Sequence, residues 1–290
     1  MGLTRFQPMQ LALQLTLLDL LLEPIGPWWM RWAILLLAAA GLLLRSTLVQ
    51  PWFWLCLASL TGLRVIVDWP LADNHAYLLS YWCLACGLAC LAEDPAAALA
   101  RNGRWLIGLA FLGATVWKLA PGGDYASGVF FRVTMVIDPR LEGFARVAGG
   151  LSMEQIDALR SYLSVHWDGG SPSVVSTVQE PTRFVVLAHI AAWWNIALNG
   201  AIALAFLWPQ DRGLSRLRNV LLLLFCVVTY AVATVASFGW LLIAMAVSQT
   251  RPEDSRTHYA YAGVFALILL YREIPWSEAI ILPLLRSAGG

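Results

Sequence analysis

Gly103-Arg104-Trp105-Leu106-Ile107-Gly108-Leu109-Ala110-Phe111-Leu112-Gly113-Ala114-Thr115-Val116-Trp117-Lys118-Leu119-Ala120-Pro121 is an apolar run that ends near the one lysine of the chain. Eighteen arginines supply the rest of the positive charge. Arginine stays protonated and serves poorly as a base, whereas a desolvated lysine can exist as the neutral amine near pH 7. A run this apolar predicts a membrane-crossing helix. A single lysine near membrane depth then points to chemistry at Lys118. The plainer reading is a lysine that snorkels from a helix end to the interface.

Composition places the whole chain in the same class. Hydrophobic residues make up 59% and charged residues 13% of the 290, and the mean hydropathy is +0.67, outside the range of soluble domains. Fifteen tryptophans and eight tyrosines, many flanking apolar runs, read as interfacial belts. With a net charge of +1 and no basic tract, nothing points to nucleic acid.

Working outward from Trp105–Ala120, further apolar runs approach the 20 or so residues a bilayer requires. They are Trp28–Leu44, Pro51–Val67, His75–Ala92 and Phe184–Trp208. Val220–Val247 reads as one tilted helix or as a pair broken around Ser237-Phe238-Gly239, and Tyr259–Tyr271 as another crossing. Met9–Leu22 is either a crossing or an interfacial helix, since Asp19 and Glu23 interrupt it. No small-residue cleavage site follows Leu22, so the N-terminus reads as mature. The expected fold is all-α: a single membrane domain over 1–290, with seven or eight transmembrane helices in a bacterial-type inner membrane.

Arg45, then Arg101 and Arg104, then Arg212, Arg216 and Arg218 fall in alternate connections, which the positive-inside rule assigns to the cytoplasm. The segment 121–182 then lies outside as a cap. Within it, Ser152-Met153-Glu154-Gln155 reads as a capping box with Leu151 and Ile156 as a hydrophobic staple. A short helix to about Val165 should follow, with Ile156, Leu159 and Leu163 on one face, before Gly169-Gly170-Ser171-Pro172 breaks the chain.

That orientation brings His75, Lys118 and His189 to one leaflet. Imidazole relays protons near neutrality, and a neutral amine accepts them, so the three are the candidate catalytic residues. Asn74, Tyr77, Trp117, Trp194 and Asn195 stand near them in sequence and are the candidate substrate-binding residues. For His75 the alternative is an interface marker, and for His189 a satisfied packing histidine.

Asp73-Asn74-His75-Ala76-Tyr77-Leu78 resembles the Asn-His-x-Tyr-Leu element of the vitamin K-dependent gamma-glutamyl carboxylases and their bacterial HTTM-domain relatives. The run ending Trp117-Lys118-Leu119 is similar to the lysine-bearing helix of that family, as are the spacing from His75 to Lys118 and the later helix entered through Val185–His189. The resemblance covers about residues 50–247. It implies a lyase-type reaction in which Lys118 deprotonates a reduced quinone of the vitamin K or menaquinol type, with His75 and His189 as further participants. Oxygen then gives a strong base that removes a glutamate gamma proton, and carbon dioxide adds to the carbanion. The chain departs from the animal enzymes in carrying one lysine where they carry a pair. It is also expected to lack their large lumenal domain, so a peptide substrate is less firmly implied than a site. The expected partners are membrane lipid and a quinone or peptide substrate, and no metal is expected.

Two other readings remain open. Cys83, Cys86 and Cys90 fall on one helical face, and Gly108–Lys118 is similar to the DoxX and MauE redox or maturation proteins. Alternatively the chain is a non-enzymatic assembly subunit in which Lys118 pairs with a carboxylate.

Overall fold

The computed structural model describes residues 7–23, 25–167, 180–209, 212–231 and 235–274, the side chains of 140 and 164–167 excepted. All regular structure among them is helical. The helices are α1 (Pro8–Leu22), α2 (Trp28–Leu43), α3 (Pro51–Val67), α4 (Asn74–Cys90), α5 (Pro95–Lys118), α6 (Val129–Ile137), α7 (Glu142–Val147), α8 (Met153–Trp167), α9 (Thr182–Leu207), α10 (Arg218–Tyr230), α11 (Ala236–Ser248) and α12 (Ser255–Glu273). Among the described residues two helical stretches, Thr182–Leu207 and Gly213–Tyr230, are long and apolar enough to cross a membrane. Pro8–Leu22, Trp28–Leu43, Pro51–Val67 and Ala236–Ser248 are apolar but shorter.

The chain divides into two compact units. One comprises Met1–Leu112 with Ala201–Arg272, the other Gly113–Gly200 with Glu273–Gly290.

In the first unit α1 and α3 each begin with a proline, whose fixed φ suits the first helical turn and whose missing N–H would have had no partner there. α3 and α4 form a close pair. A Cβ at Gly87 would lie 2.9 Å from Leu55 Cδ2 and 3.3 Å from the Leu55 nitrogen, so glycine lets the two helices approach this closely without displacing Leu55. α11 is buried around nearly its whole circumference and packs on α1, as expected of a helix apolar on every side. The buried tryptophans satisfy their ring N–H groups: Trp54 donates to the Leu48 carbonyl at 2.8 Å, Trp82 to Thr16 Oγ1 at 2.8 Å and Trp240 to the Phe265 carbonyl at 3.0 Å.

Two sequence expectations change here. α5 begins at Pro95, after Asp94, whose Oδ1 accepts the Ala97 N–H at 3.0 Å, so Arg101 and Arg104 lie within a helix and not in a connection. Arg104 donates to the carbonyls of Phe206 (2.7 Å) and Trp208, which close the end of α9. The Val220–Val247 run is a broken pair, and its break lies before Ser237, between Tyr230 and Ala236. Gly239 sits inside α11 because a Cβ there would come within 2.7 Å of the Tyr230 ring.

The second unit is organised by a small apolar core. Met135 and Val136 of α6, Ala145 of α7, Leu141, Leu151, Ile156 of α8 and Phe184 of α9 are buried together. The expected capping box is present: Gln155 N–H donates to Ser152 Oγ at 3.1 Å, and Ser152 N–H to Gln155 Oε1 at 2.9 Å. Leu151 and Ile156 meet in the core, with Leu159 and Leu163 packed against it, so the face read from periodicity is the buried one. Arg160 ties α8 to Val136 O at 2.8 Å and to Glu142 Oε2 at 3.0 Å, and Arg132 pairs with Glu180 at 2.8 Å. The expected break at 169–172 lies outside the described residues.

Candidate functional site

Lys118 is the last residue of α5, where a cation complements the partial negative charge of the helix end. Its Nζ donates to Asn195 Oδ1 at 2.6 Å. The same oxygen receives the Tyr125 hydroxyl at 2.8 Å and the Asn199 side-chain amide at 3.2 Å. Three donors from three places in the chain therefore converge on one amide oxygen. Asn195 and Asn199 share a face of α9 because they are four residues apart, and that face meets the end of α5 near Thr115 and Gly200.

Tyr125 serves twice. Its hydroxyl binds Asn195, and its ring lies 4.8 Å from the Lys118 nitrogen in a cation–π arrangement. The ring is held by stacking on Phe130 (4.9 Å between centroids) and by an edge contact with Phe131 (5.5 Å). Burial pushes the Tyr125 phenol well above its ordinary range, so it remains a neutral donor.

Among the described residues no carboxylate pairs with Lys118. A half-buried ammonium is instead solvated by an amide oxygen and an aromatic face. Beside it, Asn199 is only 2% exposed, and its own Oδ1 has no partner among the described residues. Turning that amide over would set oxygen against Asn195 Oδ1, so the present orientation is favoured and the free group is an acceptor.

His189 lies on the same helix but outside this set of hydrogen bonds. Its Nδ1 is 2.9 Å from the Val185 carbonyl, so Nδ1–H is the donor there, and Nε2 is the acceptor in the matching tautomer. Gly128, at φ +77°, packs so tightly on this residue that a Cβ would lie 3.2 Å from the His189 nitrogen, and this close approach requires glycine. His75 belongs to the first unit. It opens α4 one residue after Asn74, with its Nδ1 4.0 Å from Asp73 Oδ2. Asn74 is exposed and Tyr77 half-buried. Trp117 (81% exposed) and Trp194 (53%) point away from the packed interior.

The structure thus joins Lys118 to Asn195 directly and adds Tyr125 and Asn199, which sequence reasoning did not single out. Tyr125 follows the turn-rich Pro121-Gly122-Gly123-Asp124, where nothing local marks it. Asn199 could have been found as the i+4 neighbour of Asn195 on an apolar helix. The thiols at Cys83 and Cys86 are buried, Cys90 is half-buried and Cys56 exposed, and all are free. No protein-family model, curated protein or solved structure matches the chain.

Proposed function

We propose that the chain is a carboxylase-like integral membrane enzyme of the HTTM type, crossing a bacterial-type inner membrane seven or eight times. In this reading Lys118 is a base acting at the outer leaflet on a quinol or another lipid-soluble hydroxyl compound. The membrane assignment is supported by the two long apolar helices and by outward-facing bulky side chains such as Trp28, Trp52 and Trp69, all more than two-thirds exposed.

The observation that carries the catalytic reading is the amine of Lys118 held by neutral groups alone among the described residues. A lysine kept for charge would be expected beside a carboxylate, which the assembly-subunit alternative requires. The unpartnered Asn199 Oδ1 fits a hydroxyl donor such as a quinol. A bound quinol would supply an acidic O–H and two-electron redox chemistry. Asn199 would accept its hydrogen bond, Asn195 would orient the amine, and the neutral Lys118 amine would take the proton. Tyr125 would then hold the resulting ammonium against its ring. His189, with Nε2 as acceptor, is available for onward transfer of that proton.

The test is mass spectrometry of lipid extracts from purified protein, followed by oxygen-dependent oxidation of added menaquinol. A co-purified quinone together with turnover above the protein-free rate is the expected result. Lack of both sinks the quinol assignment.

A further inference from the structure

The unit formed by Met1–Leu112 with Ala201–Arg272 holds a polar group unrelated to the lysine cluster. Asp19 of α1 is 1% exposed, and neither carboxyl oxygen has a hydrogen-bond partner among the described residues. α1 packs on α11, which sets Asp19 beside Ser237, and the Tyr230 ring of α10 packs on Gly239, two residues further along α11. The Tyr230 hydroxyl is buried and likewise lacks a partner among the described residues.

Local structure explains why these groups meet. One long apolar run is broken into α10 and α11, with Tyr230 closing the first half and Ser237 the second residue of the other. The carboxyl therefore stands by the N-terminus of a 13-residue helix, whose free N–H groups and dipole favour negative charge. Broken helices present both kinds of end inside an apolar interior: the N-terminal end of α11 suits the Asp19 carboxylate, and the C-terminal end of α10 at Tyr230 suits a cation held on it. Gly239 admits the Tyr230 ring, since a Cβ would lie 2.7 Å from it and 2.8 Å from Ile268.

Among the described residues, the charged group facing this region is Glu23, the C-cap of α1, which pairs with Arg272 at 3.7 Å. Asp19 has no such counter-ion among the described residues. A bare carboxylate here would carry a large desolvation penalty, and a neutral one would still leave oxygens unbonded. An occupant that neutralises one charge and binds oxygen removes both costs.

We propose that Asp19, Ser237 and Tyr230 form a buried site for a small monovalent cation, a proton or Na+, held on the Asp19 carboxylate. Both share the needed chemistry: one positive charge and a preference for hard oxygen ligands. A transition metal is not favoured, because no group of three His, Cys, Asp or Glu converges among the described residues. The site is independent of the amine chemistry proposed above.

The experiment labels the full wild-type chain in detergent with dicyclohexylcarbodiimide, which attaches to protonated carboxyl groups in apolar surroundings. Peptide mass spectrometry maps the label between about pH 5.5 and 8.5, in choline or Na+ salts. Asp19 is expected to label, with a fall of about fivefold or more at the alkaline end. Protection by Na+ at constant pH identifies Na+ as the occupant, and dependence on pH alone identifies the proton. Asp19 left unlabelled at every pH in both salts, or labelled equally in all of them, overturns the proposal. Infrared difference spectra supply the second reading: a titrating carboxylic-acid band lost in Asp19→Asn and shifted in Tyr230→Phe. If Asp19→Asn does not fold, the labelling and the Tyr230→Phe shift decide, and an unshifted band counts against the site.

Discussion

Lys118 Nζ and Asn195 Oδ1 stand 2.6 Å apart, a charge-assisted hydrogen bond in which the acceptor is an amide and not a carboxylate. Substitution at either end separates charge from proton transfer. Lys118→Arg keeps the charge but not a deprotonable amine, and Lys118→Met keeps the stem without the charge. Both variants should fold, and both should lower menaquinol turnover by about a hundredfold or more, the scale of a lost general base. Full turnover in Lys118→Arg, measured beside folded yield, would show that Lys118 is there for its charge.

Tyr125→Phe removes the hydroxyl bonded to Asn195 while keeping the ring beneath the amine. The expected loss is about 1 kcal/mol of stability, the net value of one hydrogen bond. The phenol also carries a pH signature. Its folded pKa is raised, so its contribution is present below the unfolded value near 10 and is lost as pH rises beyond it. Denaturation midpoints from about pH 8 to 11 should fall more steeply in the wild type than in Tyr125→Phe. Parallel curves would remove Tyr125 from the account.

The thiols should behave as packing groups. Cys83→Ser and Cys86→Ser each place a hydroxyl in a buried position and should cost about 1–3 kcal/mol while sparing turnover. A lipid-soluble maleimide should label Cys56 first, Cys90 slowly, and Cys83, Cys86 and Cys226 only after unfolding. Loss of turnover without loss of folding in the serine variants would favour the redox reading.

Gly103→Ala tests close packing in the first unit. A Cβ there would lie 2.5 Å from Ser248 Oγ and 2.7 Å from the Met245 carbonyl, and the backbone oxygen cannot yield cheaply. A cost of about 1–3 kcal/mol is expected. Gly108→Ala meets mainly the flexible Leu207 side chain and should cost less. Thermal unfolding of the two variants checks the order, and equal midpoints would contradict it.

Legibility in the sequence followed the range of the interaction. α3 was readable to its ends, because Pro51 opens it and the apolar run sets its length. The Ser152 capping box was readable because both partners lie within four residues. Charge alone assigns Arg101 and Arg104 to a connection, whereas Asp94-Pro95 carries a helix start signal that places both inside α5. What the sequence does not report is where the Arg104 side chain goes, onto carbonyls at positions 206 and 208, about a hundred residues away. Tyr125 and the unbonded Asp19 depended in the same way on distant helices, which no local pattern reports.

The capping box has a consequence for the order of assembly. The Lys118–Asn195 bond closes a loop across 77 positions, which for a featureless chain costs about 4 kcal/mol in length-dependent closure entropy alone. The intervening chain is not featureless, since the box caps α8 and the Met135–Phe184 core packs α6, α7 and α8 against the start of α9. Much of that entropy is then lost in local steps before the lysine meets its asparagine. Mutations in this core, far from the amine, should slow formation of the lysine cluster more than they weaken the finished one, so the site would be the last part of its unit to form.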